Sequence, residues 1–178
     1  MITPLHPVEI FLQPGDHYFA GRDTRILTVL GACVSMTFWH PRLLVGGMCH
    51  FMLPERGLER RSGNWPAPSG RYADEAMILL RKKMDIVGAP PKEYQVKILG
   101  GGNMFSKPHK NTLFPIGSLN VQAARRLAKQ HGFTRVAEHP GDIGRRNVIF
   151  DVWNGEVWVQ HSHVLPIAER DPIRRSIR

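Results

Sequence analysis

The stretch TVLGACVSMTFWHPRLLVGGMCHFMLPE, Thr28 to Glu55, contains both cysteines and two of the nine histidines of the 178-residue chain. Two apolar runs, CVSMTFW and LVGGMCHFML, flank HPRL, where Pro41 presets φ for a turn. The stretch therefore reads as a β-hairpin. With Pro41 and Arg42 at its tip, Cys33 falls opposite His50, Thr37 opposite Gly46 and Met36 opposite Gly47, with Cys49 behind Val34. Directly paired side chains have Cβ atoms about 4.5–5.5 Å apart, so a thiol and an imidazole can meet. The register decides this. A slip of one residue would exchange the faces of the second strand, and Gly46–Gly47 is a place for a bulge.

Outward from the hairpin, more strands follow. ILTVL, YQVKILG and FTRVAEH are apolar or β-branched runs, and NVIFDVW-NG-EVWVQ predicts a second hairpin with Asn154–Gly155 as a two-residue type I′ turn. Two segments instead carry helical periodicity. In YADEAMILLRKKMDIVG, Ala73, Met77, Leu80, Met84 and Val87 form one stripe, with Gly88 as the stop. In SLNVQAARRLAKQHG, Ser118 can cap the start, Val121, Ala124 and Leu127 or Ala128 face inward, and Gly132 ends the helix. Strands outnumber helices without alternating with them, which predicts α+β rather than a doubly wound parallel sheet.

The length predicts one domain, residues 1–163, followed by a basic tail, 164–178. There is no apolar run long enough for a membrane-spanning helix and no leader-like N-terminus, so a cytoplasmic protein is expected. Two cysteines do not make a disulfide framework, and no C-x-x-C element accompanies them. The net charge is +9, which suits an acidic partner. Part of that excess lies in the tail and in the Gly-, Pro- and charge-rich segment 53–70, which reads as a loop. The aromatic strands EVWVQ and VIFDVW have acidic rather than basic neighbours, against a nucleic-acid surface.

The chemistry centres on Cys33. A free thiol is little ionised at neutral pH. A histidine beside it can take the proton, and a third polar group should then fix the imidazole ring. Gly31 and Ala32 leave the backbone open to a substrate, and N–H groups near Cys33 could receive an oxyanion. Pattern alone puts a structural Cys33 ahead of this reading, because free cysteine is among the most buried residues. His50 by itself is readable as an ordinary strand histidine. Cys49 is expected to be structural. His161 and His163 lack partners at ligand spacing, so no metal is expected. KILGGGNMFS lacks the spacing of either glycine-rich nucleotide motif. Close backbone approach is the reading, with Gly102, Asn103 and Phe105 beside a pocket or packing contact.

These blocks, taken in order, resemble the CheD family of bacterial chemoreceptor glutamine deamidases. TVLGAC, GGMCHFMLP, RYADEAM, KILGGGNMF, IGSLN and GDIGRRNVIFD…GEVWV span roughly residues 10–161. The resemblance implies a sandwich of β-sheets with helices outside, similar to deamidating bacterial toxins. It implies a protein-glutamine glutaminase acting on cytoplasmic helices of chemoreceptors, with Cys33 as nucleophile, His50 as general base and Thr28 orienting the histidine. Gly31, Ala32, Gly102, Asn103 and Phe105 would line the substrate and oxyanion site. No cofactor, nucleic acid or membrane insertion is implied, and a CheC-type phosphatase is a possible partner. Leu119 stands where the family often has Arg. The alternatives are a non-catalytic adaptor binding receptor or phosphatase, and a basic nucleic-acid-binding domain.

Overall fold

The computed structural model describes residues 3–56, 67–102, 115–141 and 144–162. Asn103, Phe105, His163 and the basic stretch 164–178 lie outside them. Nine strands and two helices follow in the order β1 (Val8–Phe11), β2 (His17–Ala20), β3 (Thr24–Leu30), β4 (Val34–His40), β5 (Val45–Phe51), α1 (Ala73–Val87), β6 (Gln95–Gly100), α2 (Ile116–Gln130), β7 (Arg135–Pro140), β8 (Arg145–Asp151) and β9 (Glu156–Ser162). They form a four-stranded sheet, β1-β3-β8-β9, and a five-stranded sheet, β2-β5-β4-β6-β7. The class is α+β, as the sequence predicts.

Three layers result. Ile26, Leu30, Trp39, Met48, Leu99, Val148 and Phe150 fill the space between the sheets. On the other face of the five-stranded sheet, Met36, Phe38, Cys49 and Phe51 meet the helix stripes of Met77, Leu80, Met84, Val121, Ala124 and Leu127. Strand β4 is therefore buried along its whole length, which explains its lack of polar alternation. Gly88 ends α1 in the left-handed conformation, at φ 78°, as expected. Ser118 does not cap α2. The helix starts at Ile116 after Pro115, and the Ser118 hydroxyl donates to the Pro115 carbonyl inside the first turn.

Both hairpins differ from expectation in the same way. In β4–β5, Ser35 rather than Cys33 stands opposite His50, Thr37 opposite Met48 and Met36 opposite Cys49. The loop is Pro41–Leu44, closed by the Leu44 N–H on the His40 carbonyl at 2.9 Å. Two-residue hairpin turns need positive φ at their first central residue, and proline is locked near −65°. The chain instead places Leu44 at φ 50°. In β8–β9, Asp151 pairs with Glu156, so the loop is Val152–Gly155 and Asn154 has no positive φ. Val152 and Trp153 are drawn into the interior, where the Trp39 indole N–H donates to the Val152 carbonyl. A Cβ on Gly155 would lie 2.3 Å from the Trp39 ring, so this face admits only glycine.

The slip in β4–β5 spans two residues, an even number. Side-chain period is two, so each residue stays on its expected face. His50 still faces the four-stranded sheet and Cys49 still faces the helices.

Candidate active site

Three segments meet at the open end of the sandwich. Strand β3 brings Thr28 on its inner face, β5 brings His50, and the turn from β3 to β4 carries Gly31, Ala32 and Cys33. Cys33 is half-buried and free, and packs against the core between the sheets. Ser35 faces His50 across the ladder, and Cys33 stands two residues before Ser35, just past the last rung, on the face that packs toward the core between the sheets.

His50 is 2% exposed and Thr28 1%. The Thr28 hydroxyl lies 2.9 Å from the Leu12 carbonyl and 2.8 Å from His50 Nδ1. A carbonyl only accepts, so the single hydroxyl proton goes to Leu12. Nδ1 must then be the donor to Thr28 Oγ1, and the proton of neutral His50 sits on Nδ1. Nε2 is left with a lone pair, buried and without a hydrogen-bond partner among the described residues.

Burial pushes the His50 pKa below its ordinary value, against the Leu12 carbonyl and the Asp16 charge, which favour the imidazolium. Burial pushes the Cys33 thiol up, partly offset by its own backbone N–H. Both effects favour the uncharged pair at rest. Cys49 is wholly buried on the opposite face and pushed up to about 12 by desolvation. Its thiol meets only the Met36 carbonyl, at 3.8 Å, and it is structural.

The glycine run after β6 makes the close approach that the sequence suggests. Gly100 and Gly101 have φ 101° and 69°. A Cβ on Gly100 would stand 2.4 Å from the Cys33 carbonyl, and one on Gly101 2.8 Å from the Gly117 carbonyl at the start of α2. Gly101 N–H donates to the Cys33 carbonyl and Gly102 N–H to the Gly31 carbonyl. The Gly102 amide is therefore occupied in holding the turn, rather than open to an oxyanion.

Several contributors escape the sequence reading. The segment 12–16 wraps His50: the Gly15 N–H donates to the His50 carbonyl and the His50 N–H to the Asp16 carbonyl. Its one sequence signal is the Pro14–Gly15 turn dipeptide. Asn120, fully buried on α2, reaches the turn with its carboxamide. Arg146, opposite Leu30 at the site's end of β8, is fully buried on the face it shares with Val148 and Phe150. The alternation in RRNVIF predicts that inward arginine. Among the described residues no group of three or more His, Cys, Asp or Glu could share a metal ion, and no helix is long and apolar enough to cross a membrane.

Residues 52–161 match the family described as CheD chemotactic sensory transduction. A probable chemoreceptor glutamine deamidase CheD from Pseudomonas savastanoi pv. phaseolicola is 46% identical over 179 residues, spanning 100% of this chain and 98% of its own. Its namesake from Pseudomonas fluorescens is 44% identical over 90% of this chain and 89% of its own. Both similarities reach the segment before residue 52 that carries Thr28, Cys33 and His50. Among solved structures, the hypothetical protein YfiH of Bacillus licheniformis aligns with a TM-score of 0.42 and 12% identity, over 72% of this chain and 50% of that one.

Proposed function

Because the chain belongs to the CheD family, we propose that it hydrolyses glutamine side chains of chemoreceptors to glutamate, with Cys33, His50 and Thr28 as the catalytic group. The observation that supports this most is the commitment of the Thr28 proton to Leu12. It leaves the His50 Nε2 lone pair as the one basic position of that ring, on the face toward which Cys33 packs.

The chemistry then runs in two halves. Nε2 takes the Cys33 proton as the sulfur attacks the carboxamide carbon. The oxygen of the tetrahedral adduct becomes an oxyanion, received by backbone N–H groups of the turn. The His50 imidazolium protonates the leaving nitrogen, ammonia departs and a thioester remains. Water, deprotonated at Nε2, attacks the thioester, and the returning proton restores the thiol. Each half consumes and returns one proton at Nε2, and no oxidant or reductant is required.

Receptor cytoplasmic helices are the proposed substrate, so the cytoplasm is the proposed site of action. The basic surface would speed encounter with their acidic faces. A CheC-type phosphatase is the proposed second partner. The test is ammonia release from a chemoreceptor cytoplasmic fragment, with a mass gain of about one dalton per amide converted to acid. Wild type should give product and Cys33→Ala none. Equal product from both would remove Cys33. Binding without product from either would favour the adaptor.

A further inference from the structure

Ser35 and His50 are partners across the β4–β5 ladder. The His50 N–H and carbonyl both turn the other way, to Asp16 and Gly15, so this rung carries no backbone hydrogen bonds. Pairs of that kind bring their Cα atoms to about 4.5 Å, with side chains closer than in hydrogen-bonded pairs. Both side chains lie on the face toward the four-stranded sheet, alternating with Val34, Met36, Cys49 and Phe51, which face the helices. Ser35 is 0% exposed and His50 2%. Ser35 Oγ and His50 Nε2 each have no hydrogen-bond partner among the described residues. The neighbour of Ser35 on its other side is the apolar Leu99, so His50 is the polar side chain that this hydroxyl meets across its strand pairings.

Buried polar atoms without partners are unfavourable and uncommon, and here two of them share one rung beside the nucleophile. Thr28 holds the imidazole through Nδ1, which leaves Nε2 to serve the reaction. In the first half of the reaction Nε2 gives its proton to the leaving nitrogen, and ammonia departs from beside it. The water of the second half enters the space that the ammonia has just left. Water carries two protons, and Nε2 takes one. The other needs an acceptor if the oxygen is to be aimed at the acyl carbon. A serine hydroxyl can accept it.

We propose that Ser35 positions the hydrolytic water of the second half: its hydroxyl oxygen accepts a hydrogen bond from one water proton while His50 Nε2 removes the other. The acyl carbon is held on Cys33, two residues earlier and on the same face of the strand. Two fixed partners leave the water few orientations to lose before attack. The water oxygen bonds to the acyl carbon, the carbon–sulfur bond breaks, and the proton held at Nε2 returns to the sulfur. The remaining water proton leaves with the product carboxyl group, and no further reactant is needed.

The inference rests on the proposed function, and a partition experiment separates the two. Wild type and Ser35→Ala turn over a glutamine-containing receptor fragment with hydroxylamine present, and glutamyl hydroxamate and glutamate are measured. Both products come from one thioester, so their ratio reads the second half alone, whatever the rate of the first half or the amount of folded enzyme. Hydroxylamine is the stronger nucleophile and attacks without prior loss of a proton, so loss of the Ser35 hydroxyl should slow water more. The hydroxamate-to-glutamate ratio should rise at least about threefold in Ser35→Ala, the effect of one neutral hydrogen bond. Ammonia release in the first turnover, which precedes the water, should stay within about threefold of wild type. A smaller rise in the ratio, or first-turnover ammonia falling as far as glutamate does, overturns the inference. A wild type that forms neither product instead overturns the function. The hydroxyl has no partner to lose at rest, so Ser35→Ala should melt no lower than wild type. Failure of that variant to fold would show the hydroxyl already bonded, and overturns the inference as well.

Discussion

Thr28→Val keeps the shape of the side chain and removes its hydroxyl. Two buried contacts go with it, at 2.9 Å to the Leu12 carbonyl and 2.8 Å to His50 Nδ1. A buried polar group left without a partner costs about 1–3 kcal/mol. If that loss falls on the imidazolium of the transition state, at about 1.4 kcal/mol per factor of ten, kcat drops roughly 5- to 150-fold. The loss should fall on kcat more than KM, because Thr28 meets His50 and not the substrate. Thr28→Ser retains the oxygen and should stay within about threefold of wild type. The assay is steady-state ammonia release for the three proteins, with thermal unfolding alongside. A Thr28→Val enzyme within twofold of wild type would refute the orienting role, as would a serine variant as impaired as the valine one.

Gly100→Ala forces a Cβ to 2.4 Å from the Cys33 carbonyl at φ 101°. Backbone strain alone costs about 1–3 kcal/mol, so both melting temperature and turnover should fall, and unchanged turnover would contradict the close approach. Cys49→Ala should retain turnover while losing about 1–2 kcal/mol of stability. In the folded wild type, iodoacetamide should label Cys33 alone, and labelling of Cys49 before unfolding would contradict its burial. Stability should also fall with acid. His17, His50 and His131 all have folded pKa values below their ordinary 6.5, with burial as the largest cause. Below that value the unfolded chain binds more protons, so stability is full above it and is lost as pH falls through the folded values. Urea midpoints should be flat from pH 8 to 7 and decline from about 6.5 downward, and a rise over that lower range would contradict the burial.

Much of this architecture is visible in the sequence because burial leaves a pattern. Strand β4 reads as an unbroken apolar run and α1 as a stripe ending at Gly88. Strands β1 and β2 escape it. Each has four residues and none of them is buried, so neither a core-facing run nor a clean alternation marks it. Register escapes as well, because turn geometry sets it. Proline at 41 forbids the shortest loop, and the pull of Val152 and Trp153 into the core lengthens the other.

The site shows the same division. Cys33 and His50 stand out as residue types, and their chemistry asks for a third polar group without saying which. Thr28 comes from the resemblance, and the hydrogen bond to His50 is visible only once the two sheets are stacked. Asn120 looks like an ordinary helix residue in IGSLN. Its placement depends on the glycine-to-glycine docking of α2, a contact between residues far apart in the chain. Asn103 and Phe105 lie outside the described residues.

The most direct test of a Cys33 acyl intermediate is to run the reaction on a glutamine-containing receptor fragment with hydroxylamine present. A thioester partitions between water and the stronger nucleophile, so wild type should yield glutamyl hydroxamate alongside glutamate, and Cys33→Ala should yield neither. Glutamate formed at the same rate by the Cys33→Ala protein would contradict the account.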